Sequence, residues 1–398
     1  MNFLFISPNF PEAYWHFCDR LAANGVTVLG VGDAPYQDLR AELRSALTEY
    51  YKVDSLENYD QVFQAAAYFS FRYGKLDWIE SNNEYWLEQD ARLRTEFNVT
   101  TGLKSHEIEK YKSKTLMKEY YKKAGVPAAR CIPVTDLAAA KAFIAETGYP
   151  VIVKPDSGVG ATATYKLKSD ADTAAFFSMP PETAYLMEEF VPGVVTTYDG
   201  ICNSKGEVLF AASHISPTSI MDMVNEHEPC SYYVDKQIPP EVEAAGKATL
   251  KAFGAVSRFF HLEFFRLTAD KQGLGKAGDI VALEVNMRPA GGFTPDMLNF
   301  SQSADVYQLW ADMVAFDEAR HTYDGPHSYC VYAGRRDECD YVLSADELQA
   351  RYASNGKLFT RMPDALSGAM GNQVSICCFD TLDQVNDFLR TAFAEREG

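Results

Sequence analysis

The sequence predicts a multi-domain chain of mixed α/β and α+β class, and three observations lead there. At 398 residues the chain exceeds the usual reach of a single hydrophobic core, so two or three domains sharing a cleft are expected. From residue 3 to residue 80, short apolar runs alternate with helically spaced segments across tight turns, the mark of right-handed parallel strand–helix–strand units. Near residues 261 and 282, two segments alternate polar and apolar residues and are joined by a glycine-rich connection, which predicts a neighbouring antiparallel pair.

Composition narrows the function classes. The 47% hydrophobic content fills the cores these domains need. With 37 basic against 55 acidic residues the formal charge is -18, which repels polyanions and excludes nucleic acid as the main partner. A phosphate ligand therefore requires a local basic pocket. The 8 cysteines show no Cys-x-x-Cys spacing and are expected to be reduced, mostly buried thiols; the adjacent Cys377-Cys378 pair is expected to pack in a strand. The N-terminal apolar run is short and lacks a basic flank, and no run reaches transmembrane length, so no membrane partner and a cytoplasmic location are expected.

The elements follow in order. Residues 3 to 6 form a buried strand, Pro11 to Asn24 a helix and Val26 to Val31 a second strand, and the alternation continues through Leu39 to Leu47, Tyr50 to Val53, Tyr59 to Tyr73 and Leu76 to Glu80. This is a Rossmann-like unit without a Gly-x-Gly-x-x-Gly turn, so no dinucleotide is assigned to it. The polar run Ser81-Asn82-Asn83-Glu84 falls where open parallel sheets bind ligands, making Glu84 a candidate substrate residue; helix capping by Ser81 or Asn82 explains part of the run equally well. Helices are expected from Tyr85 to Phe97 and from Ser105 or Ser113 to Lys123, the latter stopped by Gly125 and Pro127. Most of the lysines at 104, 110, 112, 114, 118, 122 and 123 are expected at the surface, with Lys114 set apart by the strand that carries Lys154 downstream.

In Tyr149 to Gly160 a continuously apolar strand delivers Lys154 into a glycine loop, and a lysine leaving a buried strand needs an anion. Gly158 and Gly160 allow backbone amides to close on phosphate oxygens, with Ser157 and Thr162 as further donors. Tyr185 to Gly193 reads as a strand running into a connection whose backbone can pair with a flat base.

The densest chemistry lies in Ala282 to Gly292. Alternation puts Glu284, Asn286 and Arg288 on one face and Val281, Leu283 and Val285 on the other. A carboxylate and an amide suit a hard cation such as Mg²⁺, and Arg288 adds a planar fork for phosphate or carboxylate. Pro289 stops the strand, and Gly291-Gly292 lets backbone pass close to a ligand. Upstream, His261, Glu263 and Phe265 share a face, so Glu263 is expected beside Glu284 over one metal site.

Taken together, a lysine ahead of Lys-Lys-Ala-Gly-Val-Pro, Val-Ile-Val-Lys-Pro with glycines, Met-Glu-Glu-Phe-Val-Pro-Gly, His-Leu-Glu-Phe-Phe and Leu-Glu-Val-Asn-Met-Arg-Pro make the chain resemble the ATP-grasp superfamily over roughly residues 1 to 315. Within it the chain looks like the carboxylate-amine (amino acid) ligases, with carbamoyl-phosphate-synthase-like proteins next. The resemblance implies an N-terminal Rossmann-like domain at 1–104, a lid subdomain with the adenine hinge at 105–192, a metal-binding catalytic subdomain with an antiparallel sheet at 193–317 and a C-terminal α/β appendage at 318–398.

It also implies roles. Lys114 and Lys154 would hold ATP phosphates under the Ser157, Gly158 and Gly160 loop, while Glu188, Glu189 and Val191 would bind adenine largely through backbone. Glu263, Glu284 and Asn286 would hold Mg²⁺ or Mn²⁺, and Arg288 would face the transferred phosphoryl group. By its place between the adenine region and the metal strands, Ala212 to Pro229 would be a substrate loop, with His214 and, from the later strand, Gly291 as substrate candidates. One departure is Val194-Val195-Thr196, where many members carry an acidic ribose contact. The implied partners are a small carboxylate and an amine, and a homodimer is an admissible assembly. The expected activity is ADP-forming carbon–nitrogen ligation through an acyl phosphate; carboxyphosphate or carbamoyl chemistry and a non-catalytic nucleotide-binding regulator are the competing readings.

Overall fold

Seventeen strands in three sheets are held in a computed structural model that describes residues 1–158, 163–179, 183–217 and 229–396. The first sheet is parallel, in the order β3-β2-β1-β4, from β1 (Asn2–Ile6), β2 (Thr27–Gly32), β3 (Glu49–Lys52) and β4 (Trp78–Glu80). Its apolar runs are covered on both faces. Phe3 and Phe5 pack towards Phe17 and Trp310, and Leu4 and Ile6 towards the helix Tyr59–Tyr73 through Phe69. The expected helix from Tyr85 opens as a 3-10 turn at Glu84–Trp86 and becomes α-helical over Leu87–Glu96. Of the two proposed starts for the next helix, Ser113 is the cap: its hydroxyl accepts from the Leu116 amide at 3.2 Å, the helix runs Lys114–Ala124, and Gly125 stops it at φ 72°.

The second sheet is antiparallel, ordered β5-β8-β6-β7, with β5 (Cys131–Pro133), β6 (Val151–Pro155), β7 (Tyr165–Leu167) and β8 (Tyr185–Glu189). The third is a nine-stranded sheet. β9 (Gly193–Cys202), β10 (Val208–Ala212), β11 (His214–Ser216), β12 (Cys230–Val234), β13 (Arg258–Leu267) and β14 (Ile280–Asn286) make up its first part. β15 (Tyr329–Arg335), β16 (Gly356–Arg361) and β17 (Gln373–Phe379) continue it, because β15 pairs with β12 from Cys230↔Gly334 to Val234↔Cys330. The C-terminal strands thus join the sheet that carries the polar residues of β13 and β14. All eight cysteines are free thiols, most of them buried. Among the described residues, no helix is long and apolar enough to cross a membrane.

β13 and β14 pair antiparallel, with Glu263 opposite Glu284 and His261 opposite Asn286. Strict alternation fails at one point. The register slips between Glu263↔Glu284 and Phe264↔Ala282, so Leu283 is the extra residue of a β-bulge. Of the three apolar residues expected on one face, only Val285 stays with the core under the helix Pro240–Phe253. Leu283 turns into the cleft, and Val281 joins Val191 and Leu267 on the cleft side.

Candidate active site

A cleft of about 830 Å³ lies between the two antiparallel sheets and the carboxyl end of the parallel one. Each wall brings chemistry on a rigid element. The β6 strand carries Lys154, 8% exposed, and the neighbouring β8 carries Glu188, opposite Ile152 and so diagonal to Lys154. The Glu188 carboxylate is shared by two ammoniums, Lys154 Nζ at 2.6 Å and Lys118 Nζ at 2.5 Å. Burial would push the Glu188 carboxyl up, but the two lysines outweigh it and hold it down at about 2. For Lys154 burial works against the charge, and Glu188 reverses the shift, so the ammonium is held above its ordinary range.

Lys114 begins its helix at the floor of the cleft, where its Nζ lies 3.1 Å from Glu284 Oε1 and donates to the Gly158 carbonyl at 3.2 Å. That helix start is clamped to the loop after β6: Asp156 accepts from Thr115 N at 2.9 Å and from the Ser113 hydroxyl at 2.8 Å. The expectation of a surface lysine fails for Lys112 and Lys118. Both side chains are mostly enclosed, Lys112 reaching Glu84 at 3.7 Å and Lys118 reaching Glu188. Lys114 and Lys118 stand four residues apart on one helix face, a spacing from which Lys118 was recoverable.

On the opposite wall Glu263, Glu284 and Asn286 present side-chain oxygens from adjacent strands, and Arg288 lies just beyond them. The Arg288 guanidinium donates to the Pro289 carbonyl at 2.9 Å and lies 3.6 Å from Glu84. Burial raises the Glu84 carboxyl, against the pull of Arg288 and Lys112. The capping residue of the 81–84 run is Asn83, not Ser81 or Asn82. The Ser81 hydroxyl donates to Asp90 at 2.6 Å, Asn83 accepts from the Tyr85 amide at 3.0 Å as a cap, and Glu84 lines the cleft.

Behind Glu263 runs a buried chain that sequence reasoning missed. His261 Nε2 donates to Glu263 at 3.1 Å, His261 Nδ1 donates to Asp199 at 2.6 Å, and His214 Nδ1 lies 2.8 Å from the other Asp199 oxygen. Burial would lower the His261 pKa, yet the two carboxylates raise it to about 9. Asp199, His214 and His261 also stand close enough together to be metal ligands, but both His261 nitrogens are occupied as donors to carboxylates, which favours a hydrogen-bonded chain over a metal there.

Other candidates fall as follows. Glu189 is clasped by Arg130 at 2.8 Å and Lys271 at 3.7 Å, so its carboxylate is spent within the protein, and its amide donates to the Arg130 carbonyl at 3.1 Å. Val191 lines the cleft with Ile152, Phe265 and Leu283. Ser157 is exposed beside Gly158. Gly291 lines the cleft, and at Gly292, φ 63°, a Cβ would fall 2.4 Å from Met370 Cε. His214 is buried on β11 and bonded to Asp199 rather than set at the cleft wall. Gly160, Thr162 and His227 lie outside the described residues.

No family model matches the chain. Among solved structures it is similar to the L-amino acid ligase from Bacillus licheniformis, at 15% identity and a TM-score of 0.73, over 98% of this chain and 96% of that one. It is also similar to N5-carboxyaminoimidazole synthetase from Staphylococcus aureus complexed with ADP, at 14% identity and a TM-score of 0.69, over 98% and 96% of the two chains. The biotin carboxylase domain of the Hydrogenobacter thermophilus 2-oxoglutarate carboxylase, a dimer in complex with MgADP, ADP and bicarbonate, matches at 14% identity and a TM-score of 0.68, over 98% and 88%.

Proposed function

We propose that this chain, whose fold is that of the ATP-grasp proteins, is an ATP- and Mg²⁺-dependent ligase that activates a small carboxylate and couples it to an amine. The observation that carries the reading is the facing of two sets of charges across one cleft. Lys114, Lys118 and Lys154 come from one side, and Glu263, Glu284 and Asn286 stand side by side on the other. The first set suits a triphosphate. The second fits a hard divalent cation, which would polarise the phosphates and neutralise charge as the γ-phosphoryl group moves.

The chain's own residues supply positioning and electrostatics. Ile152, Val191 and Leu283 give a flat base apolar contact, and Lys154 and Lys114 hold phosphate oxygens. The substrate carboxylate oxygen attacks the γ-phosphorus and ADP leaves, giving an acyl phosphate braced by Arg288. The amine nitrogen then attacks the acyl carbon, phosphate leaves, and the nitrogen gives up a proton. Glu84, held beside Arg288 and Lys112, is placed to receive the ammonium of an amino acid whose carboxylate turns to Arg288. That pairing favours an amino acid as the activated acid.

Release of ADP and phosphate measured across pooled amino acids, with and without bicarbonate, tests the proposal. Release that needs two amino acids, or an amino acid and an amine, is expected. Release driven by bicarbonate would move the reading to carboxyphosphate chemistry, and none at all would leave a nucleotide-binding regulator.

A further inference from the structure

The central sheet has a second cleft on its other face. Along β9, Thr197 and Asp199 point to the His261 side, so Tyr198 between them points to the back, where its ring stacks on Phe260 at 5.4 Å. There a cleft of about 860 Å³ opens between β10, the turn at 203–206 and the helix Pro240–Phe253. Its size lies within the roughly 300 to 1,000 Å³ typical of small-molecule sites.

Three features of this back cleft point to a ligand. Val208, Phe210, Ile238 and Leu250 line it with apolar surface. Lys205, Lys247 and Lys251 also line it; Lys247 is paired with Glu243 at 2.6 Å, whereas Lys205 and Lys251 make no side-chain ion pair or hydrogen bond among the described residues. Among the described residues both ammoniums are therefore uncompensated beside one apolar cleft. The third feature is the Tyr198 hydroxyl, which is fully buried at this cleft and has no hydrogen-bond partner. A buried donor without an acceptor costs about 1 to 3 kcal/mol, so it needs a reason to stay. The helix is built to seat it: Gly246 sits under the ring, where a Cβ would fall 2.2 Å from Tyr198 Cδ1.

We propose that this back cleft binds a small amphipathic anion, an apolar body carrying a carboxylate or phosphate head, at a site separate from the cleft on the front face. The apolar body lies along Val208, Phe210 and Leu250, the head meets Lys205 and Lys251, and the Tyr198 hydroxyl donates to the ligand. Neither lysine touches the front cleft, so the site is independent of the ligase reading.

The test is calorimetry on the full chain with octanoate and octyl phosphate, run with and without saturating MgADP, and with 1-octanol as the neutral control. Saturable binding of at least one anion that survives MgADP is expected, and the tighter of the two identifies the head group. The double variant Lys205→Glu/Lys251→Glu changes only exposed side chains, and it is expected to weaken binding about tenfold or more while MgADP affinity stays unchanged. Tyr198→Phe, which removes one oxygen, is expected to weaken it severalfold. Absence of binding by both anions, displacement by MgADP, 1-octanol binding as tightly, or an unchanged double variant would each overturn the proposal.

Discussion

Glu188→Gln tests the electrostatics of the front cleft on stability and ligand binding at once. The carboxylate lies 2.5 Å from Lys118 and 2.6 Å from Lys154 and is 5% exposed, so replacing it strands two ammoniums in a poorly solvated place. Its ordinary pKa of 4.5 falls to about 2 on folding, which by linkage corresponds to about 3 kcal/mol of stability at neutral pH. The cost of breaking a buried pair by removing one partner, about 3 to 5 kcal/mol, agrees with that figure. Because folding depresses this pKa, the contribution is complete above 4.5 and is lost as pH falls towards about 2. Urea midpoints for the two proteins should therefore differ by a constant amount at neutral pH and converge in acid. Saturating MgADP should close part of the gap, since phosphate oxygens replace the missing carboxylate beside Lys154. A variant within about 0.5 kcal/mol of the parent at neutral pH, the scatter of ordinary surface substitutions, would refute the reasoning. So would a gap that does not narrow in acid.

Three other outcomes are expected. Lys154→Met should weaken ATP binding by calorimetry about tenfold to hundredfold, since a charge-assisted phosphate contact is worth about 1.5 to 3 kcal/mol. Glu284→Ala should abolish turnover at saturating Mg²⁺ while the melting temperature holds, because its side chain is 24% exposed and faces the cleft; a shifted melting temperature with turnover retained would count against a metal role. Gly246→Ala should destabilise the fold by about 1 to 3 kcal/mol, read from urea midpoints, since the new methyl meets the Tyr198 ring at 2.2 Å.

What could be read from the sequence is uneven for physical reasons. The parallel sheet was legible because its inner strands β1 and β2 are short apolar runs bounded by turn residues, and Phe3 to Ile6 are 0% exposed as that pattern demands. The Glu263 to Glu284 pairing was legible because a hairpin is local and both strands alternate. The bulge at Leu283 was not, since one extra residue inverts the alternation without any change of residue type. Lys112 looks like a surface lysine, and only the position of Glu84, distant in sequence, draws it inward; Lys118 shares a helix face with Lys114, but its partner Glu188 lies on a distant strand. The Asp199 to His261 contact joins residues 62 apart in sequence, and the pairing of β15 with β12 is equally non-local. Neither leaves a short-range mark.

Hydroxylamine trapping tests the central claim most directly. If a carboxylate is phosphorylated in this cleft, hydroxylamine, a strong nucleophile, should replace the natural amine and yield a hydroxamate. Formation should require ATP, Mg²⁺ and the acid together. It should fall in Arg288→Ala by about 2 to 4 kcal/mol of transition-state stabilisation, and Arg288→Lys should rescue it poorly because a point charge cannot reproduce the guanidinium fork. Hydroxamate accompanied by ADP is the predicted result; cleavage of ATP to AMP, the mark of an acyl adenylate, would contradict it.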